Sequence, residues 1–288
     1  LLLIFGFGYS GRATAKAATK AGMEVWATTR NPDSTAPEPG VTLIPFDFAE
    51  IPIRDASNIL VTAPPGDAGD PVLARYAGQL AQASGLQWIG YLSTTGVYGN
   101  RDGGWVDEDT DPLPQSPRAQ RRVQAEAAFA SYAGKCAVDI FRLAGIYGPG
   151  RSMFDDLREG IARRVVKPGH LFGRIHRDDI AAGVLAAIRQ NPPPGTRIFN
   201  FSDDAPAASA DVVVEAARLL DVDPPEPVPY EKAAAGMSPM GLSFWAENRR
   251  VANAKTKAEL GIQWKYPTYR EGLRAILAEE TAERSGQQ

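Results

Sequence analysis

Residues Gly6-Phe7-Gly8-Tyr9-Ser10-Gly11 fit the pattern G-x-G-x-x-G, and their setting restricts the fold more than any other feature of the chain. The run Leu1–Phe5 before them is short and wholly apolar, as a strand buried on both faces is. The stretch Arg12–Ala21 after them is rich in Ala and Lys, reads as a helix and stops at Gly22. Strand, glycine turn and helix in that order are the context the pattern needs. The first glycine permits a tight turn, the second lets a pyrophosphate approach the backbone, and the third lets helix and strand pack closely. The free N–H groups and the positive dipole end of the helix then suit phosphate. Gly6, Gly8, Tyr9, Ser10 and Gly11 are therefore candidate dinucleotide contacts; the alternative is a turn that holds no ligand.

The alternation continues along the chain. Strands are expected at Glu24–Thr28, Val41–Phe46, Asn58–Thr62, Gln87–Leu92, Val138–Leu143 and Ile198–Phe201. Helices are expected at Pro71–Ser84 and at Ser116–Tyr132, where Ser116-Pro117 supplies a cap and a first-turn proline. Later helices are expected at Ser152–Val165, Arg177–Arg189, Asp211–Leu220, Ala254–Leu260 and Tyr269–Glu280. Pro224–Pro229, with four prolines, reads as a linker, and the polar tail Arg284–Gln288 as a fraying end. Strands alternating with helices predict an α/β fold with a doubly wound parallel sheet, covered on both faces.

Composition narrows the function classes. The 288 residues include 31 Lys and Arg against 34 Asp and Glu, so the net charge of −3 argues against a nucleic-acid binder. No apolar run reaches the roughly 18 residues a membrane span needs. A single cysteine, Cys136, excludes an intrachain disulfide, and a reducing cytoplasm is the expected location. Two histidines, His170 and His176, with no HExxH or CxxC, give no metal site. The acidic run Asp107, Glu108, Asp109 and Asp111 reads as a solvated loop rather than a metal site.

The second strand should carry the residue that reads the adenosine ribose. It ends Ala27-Thr28-Thr29-Arg30, without the Asp or Glu that an NAD site places there. Arg30 could pair with a 2′-phosphate through its guanidinium fork, which favours NADP with NAD as the alternative; it could also be an exposed loop arginine. Asp47, after the third strand, is either an adenine contact or a turn residue.

Several segments together resemble the short-chain dehydrogenase/reductase superfamily in its extended NAD-dependent epimerase/dehydratase branch. Besides the glycine turn these are Tyr91-Leu92-Ser93-Thr94-Thr95-Gly96-Val97-Tyr98-Gly99, the acidic Val106–Thr110 with Pro112 and Pro114, Phe141–Gly150 and Ile175–Ile180. The resemblance implies a Rossmann domain over residues 1–150, to which 177–202 returns. Residues 151–176 and 203–288 would form a smaller substrate-type region. It implies a catalytic Ser/Thr at Thr94, which hydrogen-bonds the reacting oxygen. It also implies a Tyr-x-x-x-Lys pair, with Tyr as acid/base and Lys on the nicotinamide ribose, and often a homodimer through the two helices that here are 71–84 and 116–132.

The chain departs from the family at that pair. The Tyr position is Arg118 and the Lys position is Arg122, and no Tyr has a Lys four residues on. Arginine stays protonated at neutral pH, so Arg118 cannot act as a general acid. Arg122 could still bond the ribose or a phosphate, and Arg118 an anionic group, unless both are solvated. Tyr98, Tyr147 and His176 are the other candidates for proton transfer, and Met240, Phe244, Trp245 and Trp264 line either a pocket or the core. Two functions follow. One is an atypical NADP-dependent oxidoreductase or epimerase/dehydratase-like enzyme acting on a small molecule; the other is a non-catalytic NAD(P)-binding sensor or regulatory protein.

Overall fold

The structure is a computed structural model, and it describes residues 1–286. Seven parallel strands form one sheet: β1 (Leu2–Phe5), β2 (Val25–Thr29), β3 (Val41–Pro45), β4 (Asn58–Val61), β5 (Trp88–Thr94), β6 (Ala137–Leu143) and β7 (Gly195–Phe201), in the order β7-β6-β5-β4-β1-β2-β3. β1 lies inside the sheet and pairs β2 from Leu2↔Val25 and β4 from Leu2↔Asn58. Its side chains alternate between two cores, as strand geometry demands. Leu2 and Ile4 face one, with Phe141, Phe199 and Val184; Leu3 and Phe5 face the other, with Val72, Tyr76, Leu80 and Phe129. Burial on both faces is why these strands read as apolar runs rather than alternating ones.

Helices cover both faces: α1 (Tyr9–Lys20) and α5 (Arg177–Arg189) on one, α2 (Pro71–Gln82) and α3 (Pro117–Ala130) on the other. Their starts are chemically marked. The Asp70 side chain accepts from Val72 N–H (2.9 Å) and Leu73 N–H (3.1 Å), and Ser116 from Ala119 N–H (3.2 Å), each followed by a first-turn proline. Three strands are tied laterally by Asp139 of β6, fully buried, which accepts Trp88 Nε1–H of β5 (2.6 Å) and both arms of Arg197 of β7 (2.8 and 2.7 Å).

A smaller layer packs α4 (Met153–Arg158), α6 (Ser209–Leu219) and α10 (Tyr269–Gly286) around Phe154, Val212, Tyr269 and Ile276. Two expectations are corrected here. The helix expected over Ser152–Val165 stops at Arg158, because Gly160 turns into the left-handed region (φ 69°) and Arg164–Val166 becomes a short strand. That strand pairs with Pro227–Pro229, so the proline run is not a free linker. A two-stranded pair consists only of edges, where proline is tolerated. The pattern also hides α7 (Tyr230–Ala234) and α8 (Pro239–Ala246); α8 buries none of its residues and so shows no amphipathic period. α9 (Ala254–Leu260) precedes α10, which continues past Glu280 to Gly286; Gln287 and Gln288 of the expected tail lie outside the described residues.

Candidate functional site

Strand order reverses between β1 and β4, and the crevice at their carboxyl ends is where open α/β sheets bind ligands. The glycine turn lies there. Gly6 has φ 108°, its N–H donates to Thr28 Oγ1 of β2 (3.1 Å), and its carbonyl accepts from Thr62 Oγ1 just past β4 (2.7 Å). A Cβ on Gly11 would fall 2.1 Å from the Gly6 carbonyl oxygen, so the helix start is in backbone contact with the turn. A Cβ on Gly8 would meet nothing within 4 Å. Gly8 is the N-cap of α1 with no side-chain cap, no acid occupies the first turn, and the Arg12 N–H on Gly8 O (2.8 Å) is the first inward bond. The N–H groups of Tyr9, Ser10 and Gly11 thus have no acceptor within the helix. An open, acid-free helix start with uncapped donors fits a dinucleotide pyrophosphate.

Tyr9 does something the motif did not announce. Its hydroxyl donates to Pro149 O (3.0 Å), and its ring lies 5.2 Å from the Arg177 guanidinium and 5.7 Å from that of Arg151. It bolts the glycine turn to the Gly148–Gly150 segment. Gly148 has φ 155°, and a Cβ there would lie 2.6 Å from the Tyr9 hydroxyl.

A cleft of about 610 Å³ opens from this turn, and Gly8, Tyr9, Ser10, Thr94, Arg118 and Arg122 all line it. Thr94 ends β5, and its Oγ1 accepts Gly96 N–H (3.1 Å), which leaves the hydroxyl hydrogen free to donate. Arg122 is buried, and its Nη1 donates to Tyr91 Oη (2.9 Å) and Leu92 O (2.8 Å) on β5. Burial pushes the Tyr91 phenol up to about 12 despite that arginine. Arg118 stands 6.0 Å from the Phe244 ring, and desolvation, followed by the charges of Arg122, Arg121 and Arg151, holds its pKa below the usual arginine range.

Behind the cleft runs a buried polar chain. Ser93 Oγ donates to Glu126 Oε1 (2.5 Å), Arg142 Nη2 pairs with Glu126 Oε2 (2.8 Å), and the Arg142 guanidinium lies 4.8 Å from the Tyr98 ring. The Tyr98 hydroxyl donates to Asn200 Oδ1 (2.7 Å). Tyr98 is fully buried in this chain and does not line the cleft. Tyr147 does line the cleft, but burial, then the charges of Asp203 and Asp179, drive its pKa far above the tyrosine range. His176 is buried and caps α5, Nδ1 accepting Asp178 N–H (3.2 Å); desolvation lowers its pKa to about 4.

The remaining candidates are scattered. Arg30 and Asp47 are exposed past the ends of β2 and β3 and do not line the cleft. The acids of the 107–111 loop diverge: Asp107 accepts from Thr110 Oγ1 (2.7 Å), Glu108 from Thr256 Oγ1 (2.6 Å), and Asp109 pairs with Lys255 (2.8 Å). Among the described residues no group of three potential metal ligands gathers. Phe244 and Trp245 line the cleft, Met240 is 62% exposed, and Trp264 packs in the core 5.3 Å from Phe201. The pattern missed Thr28 and Thr62, since a lone threonine at a strand end carries no signal. It also missed Arg12, whose Nη2 donates to Ala36 O (2.7 Å) and fastens the 31–40 loop beside β2.

The seven-stranded parallel sheet, with helices on both faces and a glycine turn at its switch point, is a Rossmann-like fold. The comparisons agree. The chain is 40% identical to a conserved protein of unknown function from Silicibacter pomeroyi, over 97% of this chain and 98% of that one, with a TM-score of 0.88. A Methylobacillus flagellatus protein described as an NAD-dependent epimerase/dehydratase is 26% identical, over 97% and 98% of the two chains, with a TM-score of 0.70. Protein YeeZ of Escherichia coli K12 is 26% identical over 221 residues, 75% of this chain and 73% of its own. The human epimerase family protein SDR39U1, solved with NADPH, shares the fold at 17% identity and a TM-score of 0.73, over 96% and 98%. No family model matches the chain. The chain is thus similar to proteins described as NAD-dependent epimerase/dehydratases and shares their Rossmann-like fold.

Proposed function

We propose that the chain is an atypical NADP-dependent oxidoreductase or epimerase/dehydratase-like enzyme acting on a small molecule. The observation that carries this reading is the open helix start at Gly8, which faces the same cleft as Thr94. Tyr9, Ser10 and Gly11 N–H would hold the pyrophosphate, and Arg122, at the family's Lys position, would bond the nicotinamide ribose. The M. flagellatus relative is described as NAD-dependent and the human neighbour was solved with NADPH, which supports a nicotinamide dinucleotide of either kind. Arg30 supports NADP, because an exposed guanidinium stands where NAD sites carry an acid. When bound, the nicotinamide supplies or accepts a hydride.

The chain's own residues do the rest. The Thr94 hydroxyl donates to the substrate oxygen. The positive charge of Arg122 on the cleft wall would favour negative charge developing on that oxygen. Arginine stands where a tyrosine would give the proton, so water supplies it and the hydroxide left behind passes to solvent.

The test is NADPH oxidation across a panel of carbonyl substrates. Turnover is expected, with Thr94→Val slowing it by roughly 10²-fold, as loss of one oxyanion donor does. Arg30→Ala is expected to lower NADPH affinity about tenfold and leave NADH unaffected. Tight dinucleotide binding with no turnover on any substrate would instead make the chain a sensor.

A further inference from the structure

The charge in the cleft is not balanced. Glu247 and Arg249 both line it and neutralise each other at 2.6 Å. Arg174 spends its Nη1 on the carbonyls of Phe172 (2.9 Å) and Ala207 (3.2 Å) and faces the buried Asp203 carboxylate. Glu126 is turned away and taken by Arg142 and Ser93. Asp70, the acid that Arg122 feels, has its Oδ1 engaged in capping α2. Among the described residues, no carboxylate pairs with Arg118 or Arg151 within 4 Å, although both line the cleft. A guanidinium on a cleft wall with no carboxylate beside it is satisfied by an anion that enters the cleft.

The dinucleotide accounts for only one of them. Arg151 stands over Tyr9 in the glycine turn, within range of a pyrophosphate. Arg118 belongs to the other side, at the start of α3 beside Phe244 of α8, where the C-terminal region closes the cleft. A guanidinium there offers a planar fork to a carboxylate or phosphate.

We propose that Arg118 binds an anionic group of the substrate, so that the enzyme acts on a carboxylate- or phosphate-bearing molecule held beside Thr94. The inference rests on the dinucleotide reading of the same cleft, and it gives the arginine at the position of the missing tyrosine a recognition role instead of a proton-transfer one.

The experiment titrates malonate and, separately, inorganic phosphate into the free protein and into protein saturated with NADPH, reading heat. At least one anion is expected to bind the NADPH-saturated protein at low millimolar concentration. Arg118→Gln should weaken that binding by about tenfold or more. Arg121→Gln, whose guanidinium is held outside by Asp67 (2.9 Å), should leave it unchanged. Malonate alone points to a carboxylate, phosphate alone to a phosphate. The proposal is overturned if neither anion binds the saturated protein, if Arg118→Gln has no effect, or if NADPH displaces the anion, which would make this the cofactor's own phosphate site. Failure of NADPH itself to bind is read in the same titration and sinks the functional reading separately.

Discussion

Gly8 and Gly11 sit three residues apart and answer to different constraints. Gly11 is glycine because a Cβ would collide with the Gly6 carbonyl, and Gly8 has empty space before it and an ordinary backbone (φ −85°). Gly11→Ala should therefore destabilise the fold by roughly 1–3 kcal/mol, as overpacking does. Gly8→Val should leave the urea midpoint nearly unchanged. Equal losses in the two variants would contradict this division of labour. Glycines were legible because steric need is written in residue identity. The threonines that hold the turn were not: Thr28 and Thr62 come together only when β2 and β4 flank β1. Tyr98 misled for the opposite reason. It lies in a segment that reads as catalytic, yet its hydroxyl is committed to Asn200 in the interior.

At the scale of elements, His176 shows how a titratable group can serve structure. It caps α5 as a neutral imidazole, and desolvation lowers its pKa to about 4, below the usual 6.5. The unfolded chain therefore takes up a proton that the folded chain refuses. The stability this contributes is full above pH 6.5 and falls as the pH drops toward 4, by about 3 kcal/mol in total. His176→Asn keeps an acceptor for the Asp178 N–H and removes the titration. Urea denaturation between pH 7 and 4 should show the parent losing stability more steeply than the variant; parallel curves would show that the histidine is protonated in the fold. The sheet strands and α1, α2, α3 and α5 were readable because apolar runs, caps and first-turn prolines each act locally. The end of the helix after Ser152 and the pairing of Pro227–Pro229 were not, since both depend on a distant partner strand.

At the scale of the molecule, the parallel sheet brings three chain-distant pieces to one crevice: the glycine turn after β1, Thr94 at the end of β5 and the two arginines at the start of α3. Arginines stand at both positions of the Tyr-x-x-x-Lys pair, while the glycine turn keeps its three glycines. Among the described residues no helix is long and apolar enough to cross a membrane. The cleft wall formed by α8 was the least legible part, because that helix has no sequence period to betray it. The most direct test of the account is a calorimetric titration of NADPH into the parent protein and into Gly8→Val. Binding below about 1 mM, stronger than about −4 kcal/mol, that is lost in the folded variant is the predicted result. No heat from the parent at that concentration, or equal binding by both proteins, would contradict a dinucleotide held on this turn.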